Sequence, residues 1–166
     1  MLNIVIFDAK LNRNTFTCGE AALDRYFREQ ASQDVRRLIA NCFIAFHENT
    51  IAGFYTLSSA SIPVNDLPDD LAKRLPRYPV LPAIRIGRLA VDTKFQGKGV
   101  GSALLVDAMR RALRTDAAAF TLLVEAKNER ATGFYQHYGF MSLESRPGTL
   151  FLPLATVAKA FNSGGI

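Results

Sequence analysis

Apolar positions recur at helical spacing in "EAALDRYFREQAS", where Ala22, Leu23, Tyr26 and Phe27 share one face and Asp24, Arg25, Arg28 and Glu29 take the other. The pattern predicts an early amphipathic helix with Asp24 turned to water. Ahead of it, "NIVIF" at residues 3–7 reads as an edge strand. Beyond it, "NCFIAFHENTIAGFYTLSS" places two aromatic and β-branched runs around the polar "HENT", which predicts a hairpin. The proline-dense "SIPVNDLPDDLAKRLPRYPVLP" cannot be one helix, because each proline removes a backbone donor. It predicts a functional loop holding a short helix in "DDLAKRL". "AIRIGRLAVD" then predicts a long strand, "SALLVDAMRRALR" a helix with Leu104, Leu105, Ala108, Met109, Ala112 and Leu113 inward, and "AFTLLVEA" another strand. Together they form a β-α-β unit. "NERATGFYQHYGF" predicts a short helix ended by Gly139, and "FMSLES" and "TLFLPL" predict the closing strands.

At 166 residues the chain suits one domain, taken as residues 1–166. The composition, 49% hydrophobic and 21% charged, is that of a globular protein. No apolar run approaches the roughly 20 residues of a membrane helix. The N-terminus is apolar but lacks the basic start and cleavage site of a secretory signal, so the expected location is the cytoplasm and no membrane partner is expected. Cys18 and Cys42 have no ligand-like spacing, which predicts packing thiols and no metal site. Twenty basic against fifteen acidic residues leave a formal charge of +5. Basic residues gather at Arg25 and Arg28, at Arg36 and Arg37, in "KRLPR" at 73–77, and at Arg110, Arg111 and Arg114. Such groups favour a polyanionic partner; solvated helix faces are the competing reading.

The chemistry concentrates in "RLAVDTKFQGKGVGSALL", residues 88–105. A strand leads through Gly97, Gly99 and Gly101 into a helix, so unpaired backbone N–H groups collect at the positive end of a helix dipole. That is an anion site, and phosphate is its natural ligand, with Lys98 adding charge from the side. A P-loop would require lysine where Ser102 stands. A dinucleotide fingerprint fits Gly97 and Gly99, with Glu125 as a ribose-binding acid, but the glycines follow "DTKFQ" instead of turning directly off the strand, and too little chain remains for a second half. A ligand-free glycine turn is the third reading.

The frame Gln96-x-x-Gly99-x-Gly101 after "RLAVD" resembles the pyrophosphate signature of the GCN5-related N-acetyltransferases. Downstream, "NERATGFYQHYGF" is similar to that family's second signature, through Asn128, Phe134, Tyr135, Gly139 and Phe140. Both motifs occur in the family's order, and the resemblance covers residues 85–152. It implies a single-domain α/β (α+β) fold, a mixed central β-sheet with splayed parallel strands and flanking helices. It also implies acetyl-CoA as acetyl donor and a primary amine as acceptor. A narrower likeness, in "GFYTLSS", "RYPVLPAIRIGRLAVD" and "TLFLPL", is to the toxin branch of the family. That branch acetylates the amino group of aminoacyl-tRNA and is held inactive by a ribbon-helix-helix antitoxin; it also implies a homodimer.

Carried onto this chain, the resemblance implies that the backbone amides of Gln96, Gly97, Lys98, Gly99, Val100, Gly101 and Ser102 hold the pyrophosphate. The pantetheine arm pairs along Leu89, Ala90 and Val91, and Asn128 bonds that arm or simply caps its helix. Amides near Leu89 or Val91 would polarise the thioester carbonyl, unless the strand uses them all. Tyr135 matches the tyrosine that protonates the departing thiolate; a packed tyrosine is the plain alternative. The only carboxylate near the central strand is Asp92, so no general base is assigned. An α-amino group, with a pKa of about 7.7–8.0, needs little help from a base, whereas a lysine amine near 10.4 does. Arg85, Arg88 or the "KRLPR" loop would then contact RNA, unless Arg88 pairs with a carboxylate. His47 and His137 take no role. A housekeeping acetyltransferase for a small amine or protein terminus, and a non-catalytic binder of coenzyme A or RNA, are the other functional readings.

Overall fold

The computed structural model describes residues 1–164. Its elements run β1 (Leu2–Ile6), α1 (Ala21–Arg25), a π turn (Tyr26–Gln30), α2 (Ala31–Arg36), β2 (Asn41–His47), β3 (Thr50–Pro63), α3 (Asp69–Ala72) and β4 (Val80–Val91). They continue with α4 (Val100–Arg114), β5 (Thr121–Glu125), α5 (Glu129–His137), β6 (Met141–Ser142), β7 (Thr149–Pro153) and α6 (Leu154–Asn162). The strands form a seven-stranded sheet in the order β1-β2-β3-β4-β5-β7-β6. β4 and β5 pair in parallel, and the β1–β2, β2–β3, β5–β7 and β6–β7 pairs are antiparallel. This is the mixed α/β sheet the sequence predicts, with β1 at its edge.

Two compact units divide the chain: Met1–Ser58 with Gly87–Ala108, and Ser59–Ile86 with the chain from Met109 onward. The first packs around aromatic rings. Phe27 stacks on Phe54 with centroids 4.2 Å apart and planes within 6°, and Phe16 meets both rings edge-on. The second packs Ile62, Leu67, Leu81, Leu123 and Phe151 together. Within it the parallel ladder runs from Ala83 opposite Thr121 to Ile86 opposite Val124 and stops there, while β4 continues to Val91.

Several boundaries differ from the sequence reading. The first predicted helix is interrupted by the π turn, and Asp24 is buried instead of facing water. Its carboxylate accepts hydrogen bonds from the Cys18 N–H at 2.8 Å and the Thr17 hydroxyl at 3.0 Å, so burial leaves no lone acceptor. Ala22, placed on the apolar face by the pattern, is exposed. β6 is only two residues long, and α6 was not anticipated although Leu154 and Val157 lie three apart and are buried.

Candidate active site

In the first unit β4 delivers the chain to a short 3-10 turn, Thr93–Phe95, and then to the glycines. Asp92 starts that turn. It is 1% exposed, and its two carboxylate oxygens accept from the Lys94 N–H at 2.9 Å and the Thr17 N–H at 3.2 Å. Each carboxylate oxygen thus holds one backbone N–H of the turn, which gives Asp92 a structural role at the elbow. Gln96 finishes the brace: its side-chain amide donates to the carbonyls of Cys18 and Val91, each at 2.9 Å. The glutamine of the first signature therefore locks the elbow against the strand that precedes it.

Gly97 and Gly99 have φ of +77° and +85°, and a Cβ at either would meet nothing within 4 Å. The glycines are required by backbone conformation, and the space above them is open. Ala103 is the first residue of the following turn whose N–H bonds back, to the Gly99 carbonyl at 3.1 Å. Val100, Gly101 and Ser102 precede it, at the end of α4 where helical geometry supplies no acceptor. An exposed Lys98 lies beside them, 5.9 Å from the Phe95 ring. The elbow thus combines left-handed glycines, open space, N–H groups without a helical acceptor and one exposed cation. Gly53 lets the elbow close on its support, since a Cβ there would lie 2.7 Å from the Ala90 carbonyl. Leu89 and Val91 are half-buried and Ala90 is buried. His47 stands 5.5 Å from Phe95 as a packing ring.

Among the described residues Arg88 pairs with no carboxylate. Its guanidinium lies 3.7 Å over the ring of Tyr26, and its backbone N–H donates to the Thr56 hydroxyl at 3.1 Å.

In the second unit α5 carries the other signature. Asn128 caps it, accepting from the Ala131 N–H at 2.8 Å through its side-chain oxygen, which leaves its amide donors for other use. The helix ends in a Schellman motif. Gly139, at φ +96°, donates to Gln136 at 3.0 Å, and Phe140 donates to Tyr135 at 3.2 Å. The Phe140 ring then meets the Tyr135 ring edge-on at 5.4 Å, and Phe134 meets it at 5.2 Å. The glycine and phenylalanine of the signature thus fix the tyrosine by a helix cap and its associated ring contact. Tyr135 is 8% exposed, and burial pushes its phenol up to about 12. It is a protonated donor throughout the physiological range. Arg85 is half-buried on β4 of the same unit, opposite Leu123, and Lys73, Arg74 and Arg77 are exposed. His137 is exposed and packs its edge on Tyr138.

The thiols behave as packing groups. Burial pushes Cys18 up to about 11 and Cys42 up to about 12, so neither is a nucleophile at neutral pH. No cluster of metal-ligating side chains exists among the described residues. Nor is any helix among them long and apolar enough to cross a membrane.

A seven-stranded mixed sheet with one parallel pair and flanking helices is the α/β fold of the acetyltransferases. The chain belongs to the acetyltransferase (GNAT) family, which matches residues 9–140. Among its relatives is a tRNA-acetylating toxin of Mycobacterium tuberculosis (strain ATCC 25618 / H37Rv), 36% identical over 140 residues that cover 83% of each chain. Among solved structures, AtaT complexed with acetyl-methionyl-tRNAfMet superposes with a TM-score of 0.86 at 30% identity, covering 97% of this chain and 99% of that one. A tyrosine-to-phenylalanine mutant of the AtaT toxin, bound to acetyl-CoA and to the C-terminus of the antitoxin AtaR, gives a TM-score of 0.79 at 26% identity, covering 98% and 99%.

Proposed function

We propose that this chain transfers acetyl from acetyl-CoA to the α-amino group of aminoacyl-tRNA, and that it blocks translation when no antitoxin restrains it. The observation that supports the acceptor class is the buried phenol of Tyr135, held protonated by its surroundings. With Tyr135 as the acid and no general base assigned, the reading suits an amine already substantially neutral near pH 7.7–8.0. The relatives' activities on tRNA, and the basic groups of this chain, support a nucleic-acid carrier for that amine.

In this reading the amides of residues 96–102 and the Lys98 ammonium bind the pyrophosphate, and Leu89, Ala90 and Val91 pair with the pantetheine arm. Asn128 donates its free side-chain amide to the same arm while capping α5. Amides near Leu89 or Val91 polarise the thioester carbonyl. The acceptor nitrogen forms a bond to the carbonyl carbon, the carbon–sulfur bond breaks, the nitrogen loses one proton and the sulfur gains one. Tyr135 donates to the sulfur as it leaves. Arg85 and Arg88, with the exposed arginines of the 73–77 loop, contact RNA phosphate. Residues 1–166 act as one catalytic domain in the cytoplasm, as a homodimer, with a ribbon-helix-helix antitoxin as the restraining partner.

Induced expression of the wild-type chain without an antitoxin is the test of the toxin reading. Growth arrest by the wild type, absent with Tyr135→Phe, is expected; tolerance of wild-type expression at the same protein level would favour a housekeeping acetyltransferase. Arrest by both forms would favour RNA binding without catalysis.

A further inference from the structure

We propose that Tyr26 and Asp34 form a positioning platform that holds the Arg88 guanidinium ready for a phosphate of the RNA substrate, an inference that rests on the tRNA-directed reading above. Arg88 is exposed, yet its guanidinium carbon lies over the Tyr26 ring, 3.7 Å from the centroid. Among the described residues it makes no ion pair and spends no guanidinium N–H on a protein acceptor. A contact through the ring face commits none of the guanidinium N–H groups to an acceptor, whereas a salt bridge would.

The platform is itself secured. The Tyr26 hydroxyl donates to Asp34 Oδ2 at 2.9 Å, and Gln30 donates to Asp34 Oδ1 at 3.1 Å. Both Tyr26 and Asp34 are buried, and the Tyr26 ring lies nearly parallel to Phe54 at 6.4 Å. The π turn at Tyr26–Gln30 is what brings them into line. In an unbroken α-helix residues eight apart differ by about 80° around the axis, whereas one inserted residue returns them to nearly the same face. A wider turn that sacrifices regular helical bonding, aligned on a buried tether beneath an exposed arginine, has a positioning purpose that packing alone does not require.

The test is a double-mutant cycle read by two probes. Binding of deacylated tRNA is measured against salt, and acetyl transfer to charged tRNA gives KM and kcat, for wild type, Tyr26→Leu, Tyr26→Phe, Arg88→Gln and Tyr26→Leu/Arg88→Gln. Tyr26→Leu is expected to weaken deacylated-tRNA binding roughly fivefold. Its salt slope should fall by about one, as with Arg88→Gln, since one phosphate contact is lost in each. KM for charged tRNA should rise while kcat and the KM for acetyl-CoA hold. Tyr26→Phe, which keeps the ring but cuts the bond to Asp34, should bind more tightly than Tyr26→Leu and more weakly than wild type. The double variant should bind no worse than Arg88→Gln alone. Additive losses, or unchanged tRNA binding in Arg88→Gln, would overturn the platform. Failure of the wild type to acetylate charged tRNA, with the binding cycle still non-additive, would sink the tRNA-acetylation reading and leave the platform supported.

Discussion

Tyr135→Phe removes one oxygen and nothing else. Both ring contacts, to Phe134 at 5.2 Å and Phe140 at 5.4 Å, depend on the ring, and the Schellman bonds around Gly139 are made by backbone. Unlike the Tyr26 hydroxyl, the Tyr135 hydroxyl donates to no described residue, so its loss orphans no protein acceptor. Stability should therefore change by no more than about 0.5 kcal/mol. Acetyl-CoA binding should also hold, because the groups proposed to hold the pyrophosphate are backbone amides elsewhere in the chain. The chemical step should suffer: loss of a positioned acid costs typically 10²–10⁴ in rate. That is about 2.7–5.4 kcal/mol of barrier. Single-turnover acetyl transfer, thermal unfolding and acetyl-CoA titration on the same preparations measure the three quantities separately. Turnover within threefold of wild type, with intact fold and cofactor binding, would remove Tyr135 from the reaction.

Gly139→Ala forces a left-handed backbone on a residue with a Cβ, while the nearest side-chain atom, on Leu152, is an ordinary 3.6 Å away. The cost is thus conformational, about 1–2 kcal/mol, and should lower the melting temperature by about 2–8 °C; a larger drop in kcat than Tyr135→Phe produces would show that the cap does more than place the phenol. Gly99→Ala should raise the KM for acetyl-CoA roughly tenfold, because a Cβ enters open space needed for close approach of the pyrophosphate; an unchanged KM would place the pyrophosphate elsewhere. The rate, read as kcat/KM from initial velocities, should rise with pH through the acceptor amine's range near 7.7–8.0 and then stay level to about pH 10, because burial holds Tyr135 near 12. A descending limb between pH 8 and 10 would contradict a protonated phenol. The same upward shift stabilises the fold below the phenol's ordinary value near 10, and that contribution fades as pH climbs toward 12, which alkaline unfolding of wild type against Tyr135→Phe would reveal.

What the sequence disclosed was local. A strand, a glycine elbow and an amphipathic helix announce themselves through periodicity and backbone demands, so α4, β5 and the elbow at residues 97–102 lie where the pattern puts them. Gly139 was legible for the same reason, as a left-handed cap. Features fixed by contacts between distant segments were not. The buried Asp24 depends on Thr17 and Cys18 folding back over it, and the two bonds of Gln96 reach Cys18, 78 residues away, and Val91. The π turn left no mark in the hydrophobic pattern, because its purpose lies in a tether from Tyr26 to Asp34 and a cation arriving from β4. Arg88 could be singled out as a candidate from its position, but whether it paired with a carboxylate or lay over a ring required the fold. The short α6 does show apolar spacing in Leu154, Val157 and Phe161, a signal obscured by its start immediately after Pro153.

The central claim is that the acetyl acceptor is the amino group of an aminoacyl ester on tRNA. Labelled acetyl-CoA, incubated with the protein and a total pool of charged tRNA, tests it most directly, with deacylated tRNA and free amino acids as parallel acceptors. Label carried by charged tRNA alone, and released with the amino acid when the ester is hydrolysed, is the predicted result. Label on free amino acids, or none on charged tRNA while acetyl-CoA binds tightly, would contradict it.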